Sequence, residues 1–201
     1  MKKTSFLFLF FPLFLFGQES DFKLWSKLSI DYTLNKKSNF SITQGYRWRE
    51  NASLKDETFT NLAFSQKINK RIRFSLGYRF IVDYDMLFNP YYSNRLNADF
   101  RWRKKYDRIT FKNRLRFQYI VHLVLRDRLS VEYNVPKTPF TPYSSFEYYV
   151  NSGRDKYRLT VGATYPIFDD LTLNTYYRVQ TPIAKKENTY ILGIGFNYKF
   201  D

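Results

Sequence analysis

Hydrophobic and polar residues alternate along nearly the whole chain after residue 18, and this period of two predicts half-buried β-strands. The clearest segment has one apolar face made by Ile72, Phe74, Leu76, Tyr78, Phe80 and Val82. Its other face has Arg73, Ser75, Gly77 and Arg79. Eleven such segments follow one another without an intervening helical pattern, the third of them, around residues 58–68, being the least regular.

The segments run for about nine to thirteen residues, the length that a tilted strand needs to cross a bilayer. We therefore predict an all-β fold, an antiparallel transmembrane β-barrel of 10 to 12 strands with short periplasmic turns and longer external loops, including residues 83–92. Twelve strands are favoured because single-chain bacterial barrels have an even count. A soluble β-sandwich or barrel, which would bury the same apolar face, is the alternative.

Glycine and arginine both fall on the polar face, which predicts that this face is the inside of the barrel. Glycine is useful where a closed barrel crowds its interior, and five strand glycines share the polar face: Gly45, Gly77, Gly162, Gly193 and Gly195. Fourteen of the 16 arginines are also assigned to it: Arg47, Arg49, Arg73, Arg79, Arg95, Arg101, Arg103, Arg108, Arg114, Arg116, Arg126, Arg128, Arg158 and Arg178. Arginine suits a confined, hydrogen-bonded interior, whereas many lysines lie in predicted turns.

The first 17 residues have the pattern of a cleaved secretory signal peptide. Lys2 and Lys3 precede an apolar run from Phe6 to Phe16, and Gly17 provides a small residue before the cut. The run is too short to span a bilayer as a helix. Residues 18–201 are then predicted to form one barrel domain, integral to the outer membrane and in contact with its lipid and lipopolysaccharide.

Composition excludes several kinds of chemistry. The chain has no cysteine and a single histidine, so we expect no disulfide, no metal site and no cofactor. Its formal charge of +15 would suit nucleic acid, but the export signal and the inward placement of arginine argue against that partner. No catalytic residues are predicted.

Several short motifs resemble an outer-membrane barrel family known as domain-of-unknown-function family 2490. They are Trp25, Gly77-Tyr78-Arg79, Arg114-Leu115-Arg116, Arg126-Asp127-Arg128, Pro142-Tyr143 with Phe146-Glu147, Arg158 with Val161-Gly162, Tyr177-Arg178 and Tyr198-Lys199-Phe200. The resemblance implies a location in the outer membrane of a Gram-negative bacterium. A C-terminal strand read by the barrel-assembly machinery commonly ends on an aromatic residue, and here Asp201 follows Phe200.

The lumen is the candidate site. Its predicted network is Arg47, Arg79, Arg101, Arg114, Arg116, Arg128, Arg158, Arg178, Asp99, Glu132 and Glu147. One hypothesis is a filled, hydrogen-bonded interior that holds the barrel closed. The alternative is a narrow anion-selective pore, or a site for an acidic ligand, because so few acids cannot pair with so many arginines.

A second alternative is a lipid-modifying enzyme of the outer membrane. It would need a nucleophile beside a base, and His122, in the predicted connection of residues 120–124, is the only histidine. The serines considered as its partner are Ser130, Ser144 and Ser145.

Overall fold

The computed structural model describes residues 21–151, 155–184 and 187–200, and it confirms the prediction of an all-β barrel. The predicted signal peptide, residues 1–17, lies outside the described residues, as does Asp201. No helix in these ranges is long and apolar enough to cross a membrane.

Eleven strands form one closed sheet. Their bounds are β1 Asp21–Thr33, β2 Ser38–Arg49, β3 Leu54–Lys67, β4 Ile72–Tyr84, β5 Pro90–Tyr106, β6 Ile109–Tyr119, β7 Leu123–Tyr133, β8 Thr141–Val150, β9 Lys156–Pro166, β10 Leu171–Pro182 and β11 Thr189–Phe200. Each strand pairs with its neighbours in sequence, in antiparallel register.

The barrel closes through a parallel seam between β1 and β11. The paired residues run in step from Asp21 opposite Thr189 to Tyr32 opposite Phe200. An odd number of strands requires such a seam, because the first and last strands then point the same way. The count of eleven lies within the predicted range but is not the favoured twelve, and it departs from the even count usual for bacterial outer-membrane barrels.

The two ends of the barrel carry different connections. We call the end where β1 begins the N-end; it holds residues 50–53, 85–89 and 120–122, and β9 and β11 also begin there. The end where β11 finishes is the C-end, with residues 34–37, 68–71, 107–108, 134–140 and 167–170. The loop predicted at residues 83–92 is only residues 85–89, because β4 and β5 continue their pairing up to Tyr84 opposite Pro90.

A β-bulge lies at the start of β3, just before the segment that the sequence analysis found irregular. The register between β2 and β3 shifts between Arg47, opposite Glu57, and Trp48, opposite Lys55, which leaves Asp56 unpaired in the ladder. A bulge re-aims side chains locally, and here both Asp56 and Glu57 contact cations of the interior. The irregularity of residues 58–68 has a separate cause: the buried ring of Phe59 faces the lumen, whereas Thr60 lies on the outer face with the exposed Leu62.

Burial in this barrel is the reverse of that in a water-soluble protein. Five hydrophobic residues are buried among those described: Phe59, Ile81, Val124, Tyr149 and Ile191. Ten polar or charged residues are buried, including Asp99 and Glu147. Large apolar side chains of every strand except β10 are exposed on the outer surface, with Leu28 at 52% and Leu129 at 55%.

The strand glycines leave room for large side chains on the inner wall. A Cβ atom at Gly45 would lie 2.2 Å from the ring of Phe59, and one at Gly193 would lie 2.0 Å from the ring of Tyr176. Both rings occupy space that any other residue at these positions would fill. Because these glycines have no side chain, aromatic rings can pack against the inner wall of a narrow barrel.

Candidate functional site in the barrel lumen

Contacts between strands that are not neighbours identify the side chains that face the lumen. The guanidinium groups of Arg158 on β9 and Arg178 on β10 lie 5.3 and 5.4 Å from the ring centroid of Trp25 on β1. The guanidinium of Arg47 on β2 lies 4.1 Å from the same ring. Trp25 therefore points inward. Its ring contacts arginine side chains from three strands, β2, β9 and β10.

The larger lumenal cavity has a volume of about 560 Å³ and reaches the N-end at residues 120–122. Eleven cations line it: Lys27, Arg47, Arg79, Arg95, Arg114, Arg116, Arg126, Arg128, Lys156, Arg158 and Arg178. The carboxylates in its lining are Glu57 and Glu147. The cavity is therefore strongly electropositive.

A second cavity of about 420 Å³ lies toward the C-end. Nine cations and no acidic residue line it: Lys67, Lys70, Arg71, Arg73, Arg101, Arg103, Lys112, Arg114 and Arg128. Arg114 and Arg128 border both cavities and are opposite each other in the register of β6 and β7. These two arginines thus stand at the junction between the two halves of the lumen.

Glu147 on β8 is the main carboxylate of the larger cavity. It accepts hydrogen bonds from Arg114 and, at 2.9 Å, from Arg126, and Arg158 lies 3.8 Å away. The hydroxyl of Tyr149 donates to its other oxygen at 3.1 Å. The side chain of Glu147 is 4% exposed, so one buried carboxylate serves arginines from three strands.

Asp99 on β5 organises a second group. Arg116 donates to both of its oxygens, from Nε at 2.6 Å and from Nη2 at 2.8 Å. Arg101 donates to the same carboxylate at 2.7 Å. This bidentate geometry fixes Arg116 against the wall and leaves the remaining cations of the cavity without that acid.

Arg95 and Arg128 of the larger cavity make no side-chain hydrogen bond or ion pair with the residues described. Arg95 and Arg128 each bury an Nε atom that has no acceptor. Burying an unpaired charge is expensive unless water or an anion reaches it. The positive charge of the lumen is therefore only partly balanced by the wall itself.

The other predicted network residues have weaker partners. Arg47 pairs with Glu57 at 2.7 Å, Arg79 donates to Asn61 at 3.3 Å and Arg178 donates to Thr160 at 2.9 Å. Glu132 pairs with Lys112 near the C-end, apart from the arginine groups of Asp99 and Glu147.

One arginine was misplaced by the sequence analysis, and the predicted network lacked several residues that line the larger cavity. Arg108, assigned to a strand, lies in the turn between β5 and β6. Glu57 was missed because β3 begins at Leu54, earlier than the segment predicted around residues 58–68. Lys27 stands at a polar position of the first segment, and Trp25, two residues before it, shares that inner face.

The structure does not bring His122 to the serines considered with it. His122 lies at the N-end, where its ring is 2.5 Å from the amide oxygen of Asn151. Ser130 is eight residues further along the chain, roughly 25 Å away in an extended strand, and it is opposite Ser145 in the register. Within the described ranges, no group of three or more His, Cys, Asp or Glu residues could hold a metal ion.

The outer surface carries one charged residue away from the barrel ends. Asp127 on β7 points outward and is exposed, and the side chain of Asn113 donates to it at 2.6 Å. Among the described strand residues it is the one charged side chain on the outer face that lies away from both ends of the barrel. The sequence analysis assigned Asp127 no role.

Residues 22–190 match the family described as a protein of unknown function (DUF2490). The chain belongs to this family. Membership in DUF2490 confirms the resemblance carried by the short motifs from Trp25 to Tyr177-Arg178, and it covers all eleven strands in whole or in part. No protein with a curated description matches this DUF2490 chain.

The DUF2490 chain is similar to solved structures, of which one is reported. It is recorded under the words "Unveiling the Mechanism Behind the in-meso Crystallization of Membrane Proteins". The similarity covers 84% of this chain and 77% of the other, at 14% sequence identity and a TM-score of 0.44.

Proposed function

We propose that the protein is an integral barrel of the outer membrane and that its lumen is a narrow path for small anions. Support for the membrane comes from the outer surface, where exposed apolar side chains surround the barrel. Soluble monomers rarely expose a contiguous apolar area of that extent. Contact with lipid removes this apolar surface from water, which is energetically favourable.

Tyrosine and tryptophan residues of the outer face include two bands near the barrel ends, as expected for the two interfaces of a membrane. The band at the N-end contains Trp48, Tyr84, Tyr92, Tyr119, Tyr157 and Tyr190. The band at the C-end contains Tyr32, Trp102, Tyr106, Tyr133, Tyr165 and Tyr198. Between them the outer face is mainly apolar, with leucine and phenylalanine frequent, and Asp127 is its one charged residue in the described strands.

The outer membrane is the membrane in which spanning β-barrels of bacteria are found. The predicted signal peptide at residues 1–17 would export the chain toward it. Both observations favour the same location, and each is independent of the chemistry of the lumen.

The observation that carries the proposed function is the junction at Arg114 and Arg128. Cavities on both sides of this junction are lined by cations in large excess over acids. A lumen lined by one sign of charge attracts counter-ions, and rings of arginine and lysine select anions. We therefore infer that small anions enter the lumen from either end and pass between the two cavities beside Arg114 and Arg128.

A second candidate function is a barrel whose interior serves only to hold its wall closed. The two carboxylate groups favour it, because Glu147 and Asp99 tie together side chains of β5, β6, β7, β8 and β9. Such a network would leave no path between the two cavities.

Electrical recording separates these two functions. The full chain, folded in detergent and reconstituted into a planar bilayer, is expected to conduct and to give a reversal potential that favours chloride over potassium. Replacing Arg128, which has no partner in the described residues, by Glu should reduce or invert that preference.

The control for this experiment is Lys36→Glu, which makes the same change of charge in the exposed turn between β1 and β2. It should leave the reversal potential unchanged. Absence of conductance from protein that has folded would eliminate the path and favour the closed interior.

A further inference from the structure

We infer that a ring of five cations at mid-height in the lumen is a binding site for a multivalent oxyanion of the phosphate type. The ring consists of Lys27, Arg79, Arg114, Arg128 and Arg178, which come from β1, β4, β6, β7 and β10. This inference rests on the proposed anion function of the lumen and names the class of anion. It needs only that the ligand reach the larger cavity.

The five cations converge although their strands lie on different sides of the barrel. All five line the larger cavity. Because the five side chains border one space of about 560 Å³, their charges act on one another across it. Each of the five lies several residues from either end of its strand, which places the ring near the waist of the barrel.

The wall does not neutralise this ring. Glu147 contacts one member, Arg114, and shares its charge with Arg126 and Arg158, which are outside the ring. The side-chain partners of Arg79 and Arg178, Asn61 and Thr160, are neutral.

The two remaining members of the ring have no such partner. In the part of the chain that the structure describes, Lys27 and Arg128 make no side-chain hydrogen bond or ion pair, and the Nε atom of Arg128 is buried. The ring thus holds several donors and an excess of positive charge facing a common space.

The wall is shaped to accommodate Lys27. A Cβ atom at Gly195 would lie 2.6 Å from Cε and 2.9 Å from Cγ of Lys27, so the lysine stem occupies space that this glycine leaves open against β11. With its stem along the wall, the side chain of Lys27 remains exposed to the open lumen. Its ammonium group is available to a ligand rather than held by the protein.

The chemistry of the ring favours an oxyanion over a halide. Guanidinium groups present planar pairs of N–H donors that match two oxygens of a phosphate, and these charge-assisted bonds are directional. A multivalent anion offers several oxygens and enough charge to offset several cations together. Chloride offers a single charge and no such geometry.

Calorimetry on the full chain folded in detergent tests the site without requiring conduction. Pyrophosphate and inorganic phosphate are the probes, with chloride as the background salt, and pyrophosphate should bind more tightly because of its larger charge. Lys27→Met and Arg128→Met should each weaken pyrophosphate binding by about 10- to 100-fold, the loss expected for one hydrogen bond to a charged group.

The matched control is Lys104→Met, the same substitution at an outward-facing position near the C-end of β5. It should bind pyrophosphate as the unchanged protein does. An anomalous gel migration that is abolished by boiling verifies that each variant is folded, and removal of one cation from a self-repelling ring favours folding.

Two outcomes would overturn the site: no pyrophosphate binding by the folded protein, or equal binding by all three variants. If the protein conducts chloride selectively but does not bind pyrophosphate, the proposed anion path is supported and the proposed binding site is refuted. If the protein binds pyrophosphate at the ring but does not conduct, the binding site is supported and the anion path is refuted.

Discussion

Single residues decide whether the charge of the lumen is tolerated. Glu147 is nearly inaccessible to solvent and contacts Arg114, Arg126 and Arg158. Removing one partner from a buried charged group is costly because the charges that remain are no longer compensated. The same substitution at an exposed pair costs little, since water solvates both partners.

We expect Glu147→Gln to lower the free energy of unfolding by about 3–5 kcal/mol, because three guanidinium groups lose their shared counter-charge. Denaturant unfolding in detergent micelles, followed by tryptophan fluorescence, measures the change. Glu132→Gln is the control: its partner Lys112 is 39% exposed, so the loss should be within about 1 kcal/mol. Equal losses in the two variants would contradict a special role for Glu147.

At this scale the sequence predicts which face a residue occupies but not which residue it meets. Parity along a strand determines the face, and it places Arg114 and Arg158 on the same side as Glu147. Pairing depends on the register between strands and on the curvature of the closed sheet, which a period of two does not contain. The group around Glu147 therefore required the structure.

Among the elements, the connection of residues 85–89 at the N-end is organised by one side chain. Asp85 accepts hydrogen bonds from the backbone N–H groups of Leu87 and Asn89, both at 2.8 Å. The side-chain amide of Asn89 donates to it at 3.0 Å. These bonds, that from the Asn89 side chain foremost, hold the pKa of Asp85 below its usual value of 3.8.

The sign of this shift predicts how the connection responds to acid. A carboxyl group whose pKa is lower in the folded state stabilises that state above the unfolded pKa, and the contribution is lost as the pH falls through the folded value. Titration of the Leu87 and Asn89 amide signals by nuclear magnetic resonance should therefore give a midpoint below 3.8. Asp85→Asn should abolish the transition, and a midpoint above 3.8 in the unchanged protein would refute the assignment.

The elements themselves were largely predictable, with one instructive failure. Alternation located strands such as β4 and β6 because each keeps one face apolar over its full length. In β3 the alternation weakens because Phe59 points into the lumen, where its ring lies over Gly45 of β2. That fit is made between two strands, so the pattern of a single strand records it only as irregularity.

For the whole molecule, the odd strand count determines where the chain ends lie. Asp21 starts at the N-end and Phe200 finishes at the C-end, because β1 and β11 are parallel. The alternation predicted a range of strand numbers but not whether the number is odd or even. That depends on the seam, which is made by two strands from opposite ends of the chain. An even count would have placed both chain ends on the same side.

Epitope tags test this arrangement in cells. A tag inserted directly before Asp21 and a tag placed after the last residue should be accessible from opposite sides of the membrane. Antibody labelling of intact cells should therefore detect only one of them, and both should be labelled after permeabilisation. A tag within residues 85–89 should behave like the tag before Asp21, and labelling of both terminal tags on intact cells would contradict the odd count.

The parallel seam also sets an order on assembly. Every other pairing in the wall joins strands that follow one another in the chain, whereas the seam joins residues from its two extremes. Contacts so distant in sequence form late, since a long loop must close first. Until β11 meets β1, both strands present unpaired backbone groups that can adhere to other chains. Until its last strand pairs with β1, the chain is thus an open sheet with two unpaired edges and is prone to aggregate.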